Sequence, residues 1–402
     1  MAALKSKNIQ RVNIILILFS IIIIPLVYNY VYFIPQIALL FLSPFLVCKE
    51  GISTKDRMPV LLILAILMTR ITHPAEFRLS TVGYSILYVT TFMYYTKILS
   101  KSRIEPVDLL GITRGIIVAY AVVLAIQLVS WIAGIGYILN ASYNTADGLK
   151  FNSLTYEASQ IGPIITILMY TYIKVREMVI GRKIKFKDLF SSQDKRVFLL
   201  YVFTSLFSFS VTTYMAFLIL MLYFVRTRTI LIGAGAIVIG IAVFFSLDTE
   251  VGNRILVLLE VLPSLDIRTI YEADPSASAR IAPILVFFDD FDLFSFNTWF
   301  GYGCDYGNMH IWHTLIGHEN SDESLVVPGI IAFIYDYGMI AFFVFLKFIQ
   351  SFCKLKSFAF LIYVTCFFLT GFNMASTWLF MMLMYTLNNI NKQYKWKLKY
   401  QL

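Results

Sequence analysis

The chain has 402 residues, of which 59% are hydrophobic and 14% charged, with a formal net charge of +9. A water-soluble surface calls for roughly a quarter of residues charged, so this composition argues against a soluble globular enzyme. The positive balance would suit nucleic acid in a soluble protein, but its placement along the chain points elsewhere.

Lys5, Lys7 and Arg11 precede an apolar run at 12–30 with no small-residue cleavage pattern after it, which predicts a retained signal-anchor helix. Further apolar segments follow at 33–47, 59–72, 82–99, 114–139, 158–174, 197–210, 212–225, 229–247, 326–346, 357–371 and 373–389. Several are shorter than the ~20 residues that a full span of ~30 Å takes. The short ones come in adjacent pairs: 33–47 with 59–72, 197–210 with 212–225, and 357–371 with 373–389. The pattern predicts an all-α polytopic membrane protein of about 12 transmembrane helices. Residues 1–247 carry the first helices, 248–325 form one large loop, and 326–402 carry the last helices and a basic tail.

Alternating crossings from a cytoplasmic N-terminus collect most of the 33 Lys and Arg on the cytoplasmic side, densest between Lys174 and Arg196. The opposite face keeps only Arg70, Arg78, Lys150, Arg254, Arg268 and Arg280. Shifting the alternation by one crossing inverts that bias, so both termini are expected inside. The net charge is then an orientation signal, and no nucleic-acid partner is expected. Each basic residue on the translocated face needs a partner or a task.

The large loop is rich in apolar residues and has no low-complexity run. Its early part, 254–262, suits an amphipathic turn or two ended by Pro263. Asp274-Pro275-Ser276 is a good helix start that places Arg280 in the opening turns, with Pro283 expected to kink or restart the helix. Arg280 there suits a phosphate as a forked donor, or equally an ion pair with Asp274, Asp289 or Asp290. Phe300-Gly301-Tyr302-Gly303 is a tight turn whose aromatics suit a sugar face or, more commonly, the membrane interface.

His310, His313 and His318 follow. His310 and His313 with Asp305 or Glu319 would make a conceivable metal site, but without a metal-ligand motif a simple interfacial cluster ranks above it. His318, just before the segment at 326–346, could serve as a base or as a phosphate-binding cation. On the same face Glu157 precedes the segment at 158–174, where it would cap the helix or act as a base beside Lys150. The cysteines Cys48, Cys304, Cys353 and Cys366 are too scattered for a disulfide framework.

Together these features resemble the O-antigen polymerase (Wzy) family and, more distantly, the O-antigen ligases. Residues 150–163 resemble the family's basic residue, turn and Glu-Pro-Ser-like helix start, with Ala158 in the proline's place and Lys150 where an arginine is common. The run 207–214 resembles a Ser/Thr-rich break between two short helices. Ser276 to Arg280 followed by Gly301-Tyr302-Gly303 resembles the family's Ser-x-x-x-Arg and Gly-x-Gly order. His318-Glu319-Asn320 ahead of a helix containing Tyr337-Gly338 resembles the ligase pattern.

The resemblance implies a GT-C-like membrane glycosyltransferase of the bacterial inner membrane, acting in lipopolysaccharide biosynthesis at the periplasmic face. It would join undecaprenyl-pyrophosphate-linked oligosaccharide repeat units and release undecaprenyl pyrophosphate. It implies no cofactor and no metal, and a chain-length regulator as a functional neighbour. Arg280 would lead the pyrophosphate ligands, with Arg254, Arg268, Lys150 and Arg78 beside it and Tyr302 at the sugar. His318 or Glu157 would activate the acceptor hydroxyl. An O-antigen ligase is the nearer alternative. A flippase or transporter is the alternative from another class, disfavoured because no internal repeat is visible.

Overall fold

A computed structural model describes residues 12–18, 34–73, 78–102, 104–136, 151–155, 157–191, 194–225, 256–257, 260–273, 275–307, 310, 329–354 and 357–400. Every regular element among them is helical. Helix α1 covers 12–18. It is followed by α2 (Ile34–Glu50), α3 (Arg57–Thr72), α4 (Leu79–Lys101), α5 (Pro106–Ile132), α6 (Ala158–Ile180), α7 (Lys195–Phe207) and α8 (Val211–Leu222). The loop region adds α9 (Ile267–Ala273), α10 (Pro275–Asp290) and α11 (Phe296–Phe300), and the chain closes with α12 (Gly329–Gln350), α13 (Phe358–Leu369) and α14 (Ala375–Tyr400).

Where they are described, the apolar segments read from the sequence coincide with these helices; 19–30 of the first segment and all of 229–247 lie outside the described residues. Among the described residues two helices, α5 and α12, are long and apolar enough to cross a membrane by length and composition. The helix α5 starts well before its apolar run. Pro106 occupies its first turn, where no amide donor is needed, and the Glu105 amide donates to Asp108 Oδ2 at 3.0 Å.

Helices α6 and α14 lie at the centre. Residues 161–173 of α6 and 376–384 of α14 are buried throughout, so neither helix shows an outward face over those stretches. Around them α5 packs on α6 and α7, α8 on α6, α2 on α4, and α12 on α3. Close crossing of α6 and α8 depends on Gly162: a Cβ there would stand 2.4 Å from the Thr213 Cα. Several buried polar groups are paired, within one segment or across helices. Trp378 donates its indole N–H to the Phe372 carbonyl at 2.7 Å, and the Tyr95 and Thr386 hydroxyls meet at 2.7 Å.

The outer helices turn large apolar side chains outward. Phe45 on α2, Ile71 on α3 and Val129 on α5 are 75%, 73% and 64% exposed. Apolar surface repeated on several outer helices suits a hydrocarbon surround better than water. The Ser/Thr-rich break falls as read, with α7 and α8 separated at 208–210 and Phe209 at φ 50°. Pro283 does not end or restart its helix, since α10 runs across it from Pro275 to Asp290. Packing of Ala282 and Val286 against Ile331 and Tyr335 of α12 holds that stretch helical against the local cost of the proline.

Candidate functional site

The loop region is fastened to α12 through a pair of facing glycines. Gly338 interrupts α12 with φ 78° and ψ 170°, a conformation open essentially to glycine alone. A break of this kind strips helix carbonyls of their usual amide partners. The turn after α11 supplies them: the Tyr302 amide donates to the Tyr335 carbonyl at 2.7 Å and the Gly303 amide to the Asp336 carbonyl at 3.3 Å. Gly301, at φ 83° and ψ 167°, lies so close that a Cβ on it would stand 2.4 Å from the Asp336 carbonyl oxygen. A Cβ on Gly338 would stand 2.4 Å from both the Gly301 nitrogen and the Trp299 oxygen.

Beneath the turn the buried Asp336 carboxyl oxygen accepts from the Gly307 amide at 3.2 Å. Cys304 is buried beside it, 4.0 Å from the Thr69 hydroxyl. Burial first, and then the neighbouring Asp336, push the Cys304 thiol up to about 12.

The connection between α3 and α4 grips the same turn from the other side. Asp305, at φ 67°, accepts from the Thr81 hydroxyl at 2.6 Å and from Arg78 Nη1 at 3.2 Å. His73 Nε2 reaches Asn297 Oδ1 of α11 at 2.9 Å. The Arg78 side chain is 59% exposed, so its guanidinium keeps a solvent-facing side while it holds Asp305.

Tyr302, Tyr306 and His310 form a stack above this base. The tyrosine rings are 4.6 Å apart and within 9° of parallel; Tyr306 and His310 follow at 5.1 Å and 13°. His310 Nε2 lies 2.8 Å from Asp290 Oδ2, and the Tyr335 hydroxyl donates to the same oxygen at 2.7 Å. Burial, reinforced by Asp290, raises the Tyr302 phenol. Phe287, Asp290, Phe291, Thr298, Tyr302, Ile334 and Tyr335 enclose about 10 Å³ of space for water, room for about one molecule. The cleft is too small for a sugar ring.

The residues singled out in the sequence end up in different places. Arg78 and Tyr302 meet at this turn. Arg268 does not join it: the side chain is 82% exposed on α9 and pairs with Glu272 at 3.2 Å, a surface pair of little energetic weight. Glu157 occupies the N-cap of α6 without a side-chain bond to a helix amide; its carboxylate accepts from Ser159 at 2.8 Å instead. The stretch leading to it is pinned to α5, where the Ser153 amide donates to Gln127 Oε1 at 2.9 Å.

Arg280 falls in the second turn of α10, with its side chain outside the described residues. Lys150, Arg254, His313 and His318 also lie outside them. Among the described residues no group of three His, Cys, Asp or Glu is placed to hold a metal ion.

Sequence reasoning gave Asp290 only as a partner for Arg280, and it missed Asp305 as a ligand of Arg78 and Asp336 altogether. The ring stack had a readable signal, because Tyr302, Tyr306 and His310 recur at every fourth position, one helical face. Nothing local links Asp290 to His310. No family model, no curated protein and no solved structure matches this chain.

Proposed function

We propose that this protein is an integral membrane glycosyltransferase that polymerises lipid-linked oligosaccharide repeat units on the non-cytoplasmic side of a bacterial inner membrane. One observation carries the reading. The Gly-Tyr-Gly turn docks into the broken helix α12 and onto the α3–α4 connection, gathering Arg78, Asp305, Asp290 and His310 from distant parts of the chain. The charge bias of the sequence favours the translocated face for that end.

In the proposed reaction an acceptor sugar hydroxyl attacks the anomeric carbon of a repeat unit on a polyprenyl pyrophosphate. The bond from that carbon to the pyrophosphate oxygen breaks, and the lipid pyrophosphate leaves with the electron pair. Charge builds on the leaving group, so guanidinium groups that grip oxyanions bidentately suit the site more than an added acid. Arg78 is near the described turn; Arg280 sits one helix away in sequence, at the start of α10, and remains the lead candidate for the pyrophosphate.

The test is complementation of a strain deleted for the gene, with surface polysaccharide resolved on a silver-stained gel. Lipid A–core carrying a single repeat in the deletion, reproduced by Arg280→Ala at matched membrane level, supports the polymerase. Core with no repeat means a ligase or a flippase. A full ladder in the deletion overturns glycosyl transfer in this pathway.

A further inference from the structure

The proposed transfer needs a group to take the proton of the acceptor hydroxyl. We infer that His310 is that base and that Asp290 orients it and offsets its charge, an assignment that rests on the glycosyl-transfer reading above. Asp290 lines the cleft, and the His310 and Asp290 side chains are 30% and 35% exposed, so the pair is partly open to an incoming molecule. The 2.8 Å contact to Asp290 Oδ2 calls for a proton on Nε2, so that Nδ1 is the nitrogen that would act as the base.

Two further groups hold this arrangement. Tyr335 donates to the same Asp290 oxygen at 2.7 Å, and Tyr306 stacks on the imidazole at 5.1 Å. The Tyr306 hydroxyl stands 3.4 Å from Nδ1, beyond the usual range of an O–H donor, and an incoming sugar hydroxyl would take over that contact. A nitrogen base held by a carboxylate, itself fixed by a second donor, is the arrangement that general-base catalysis requires.

The step balances as follows. The acceptor O–H proton passes to His310 Nδ1 as the oxygen bonds to the anomeric carbon. The carbon–oxygen bond to the pyrophosphate breaks in the same step. The resulting imidazolium is stabilised by the Asp290 carboxylate and gives its proton to solvent after product release.

The experiment measures elongation of lipid-linked repeat units, purified from a polymerase-null strain, by membranes carrying the full chain. His310→Gln is expected to lower kcat by about 100-fold or more, in the range that positioned bases contribute. Donor KM should stay within a few-fold. Asp290→Asn, which keeps the shape but not the charge, is expected to lower kcat with KM again held. If His310→Gln elongates within a few-fold of wild type, His310 is not the base and the inference is overturned while the polymerase reading stands. Should His310→Gln fail to accumulate in the membrane, Asp290→Asn decides, and an unchanged kcat overturns the assignment. Wild-type membranes that never elongate the donor overturn the glycosyl-transfer reading itself, and the inference falls with it.

Discussion

Replacing Gly301 by alanine tests the mechanical centre of the site. The new Cβ would stand 2.4 Å from the Asp336 oxygen and 2.8 Å from the Asp336 and Tyr337 carbonyl carbons. All three are backbone atoms, so no side chain can swing aside. The backbone at φ 83° and ψ 167° adds strain of its own, because only glycine occupies that region readily. Strain of about 1–3 kcal/mol and overpacking of a similar size give a total of about 2–6 kcal/mol.

The turn docks on the bundle through its bonds to the broken α12 and through Cys304, which joins the main apolar cluster, and undocking it is the first step that this energy favours. Its open population should rise between about 30-fold and about 10⁴-fold. The reporter is already in place. Cys304 is buried under the turn with its thiol pushed up to about 12, so at neutral pH it is both covered and protonated. In a chain keeping Cys304 as its sole cysteine, maleimide should react slowly in the parent and at least about 30-fold faster in Gly301→Ala, since reaction follows the open fraction. Equal rates with unchanged melting would refute the facing-glycine account.

Two further predictions concern the rest of the chain. With all four cysteines present, Cys48 is exposed while Cys304 and Cys353 are buried with raised thiols, so labelling at pH 7 should fall chiefly on Cys48. An impermeant maleimide should reach it only from the cytoplasmic side of oriented vesicles, and labelling from the other side would reverse the topology. Gly162→Ala should destabilise the α6–α8 crossing by about 1–3 kcal/mol, because its Cβ meets the Thr213 Cα at 2.4 Å. Thermal unfolding in detergent reads this, and a variant melting with wild type would mean the two helices separate at little cost.

The sequence by itself determined the helical class and the positions of most helices. Apolar runs and breakers such as 208–210 act locally, and a helix satisfies its own backbone wherever it is placed. It also marked Gly301-Tyr302-Gly303 as a tight turn, while Gly338 entered only as part of a helix resembling the ligase pattern. Only the tertiary structure decided that these glycines face each other, because the pairing spans the distance from the α11 turn to α12. The same holds for Arg78 with Asp305 and for His310 with Asp290, where residue type suggests charge and chemistry but not a partner. Pro283 shows the converse, a local signal overridden when Ala282 and Val286 gained a surface to pack on. Local rules act over a helical turn, whereas the candidate site is made by contacts between elements far apart in the chain, and those depend on how the whole bundle packs.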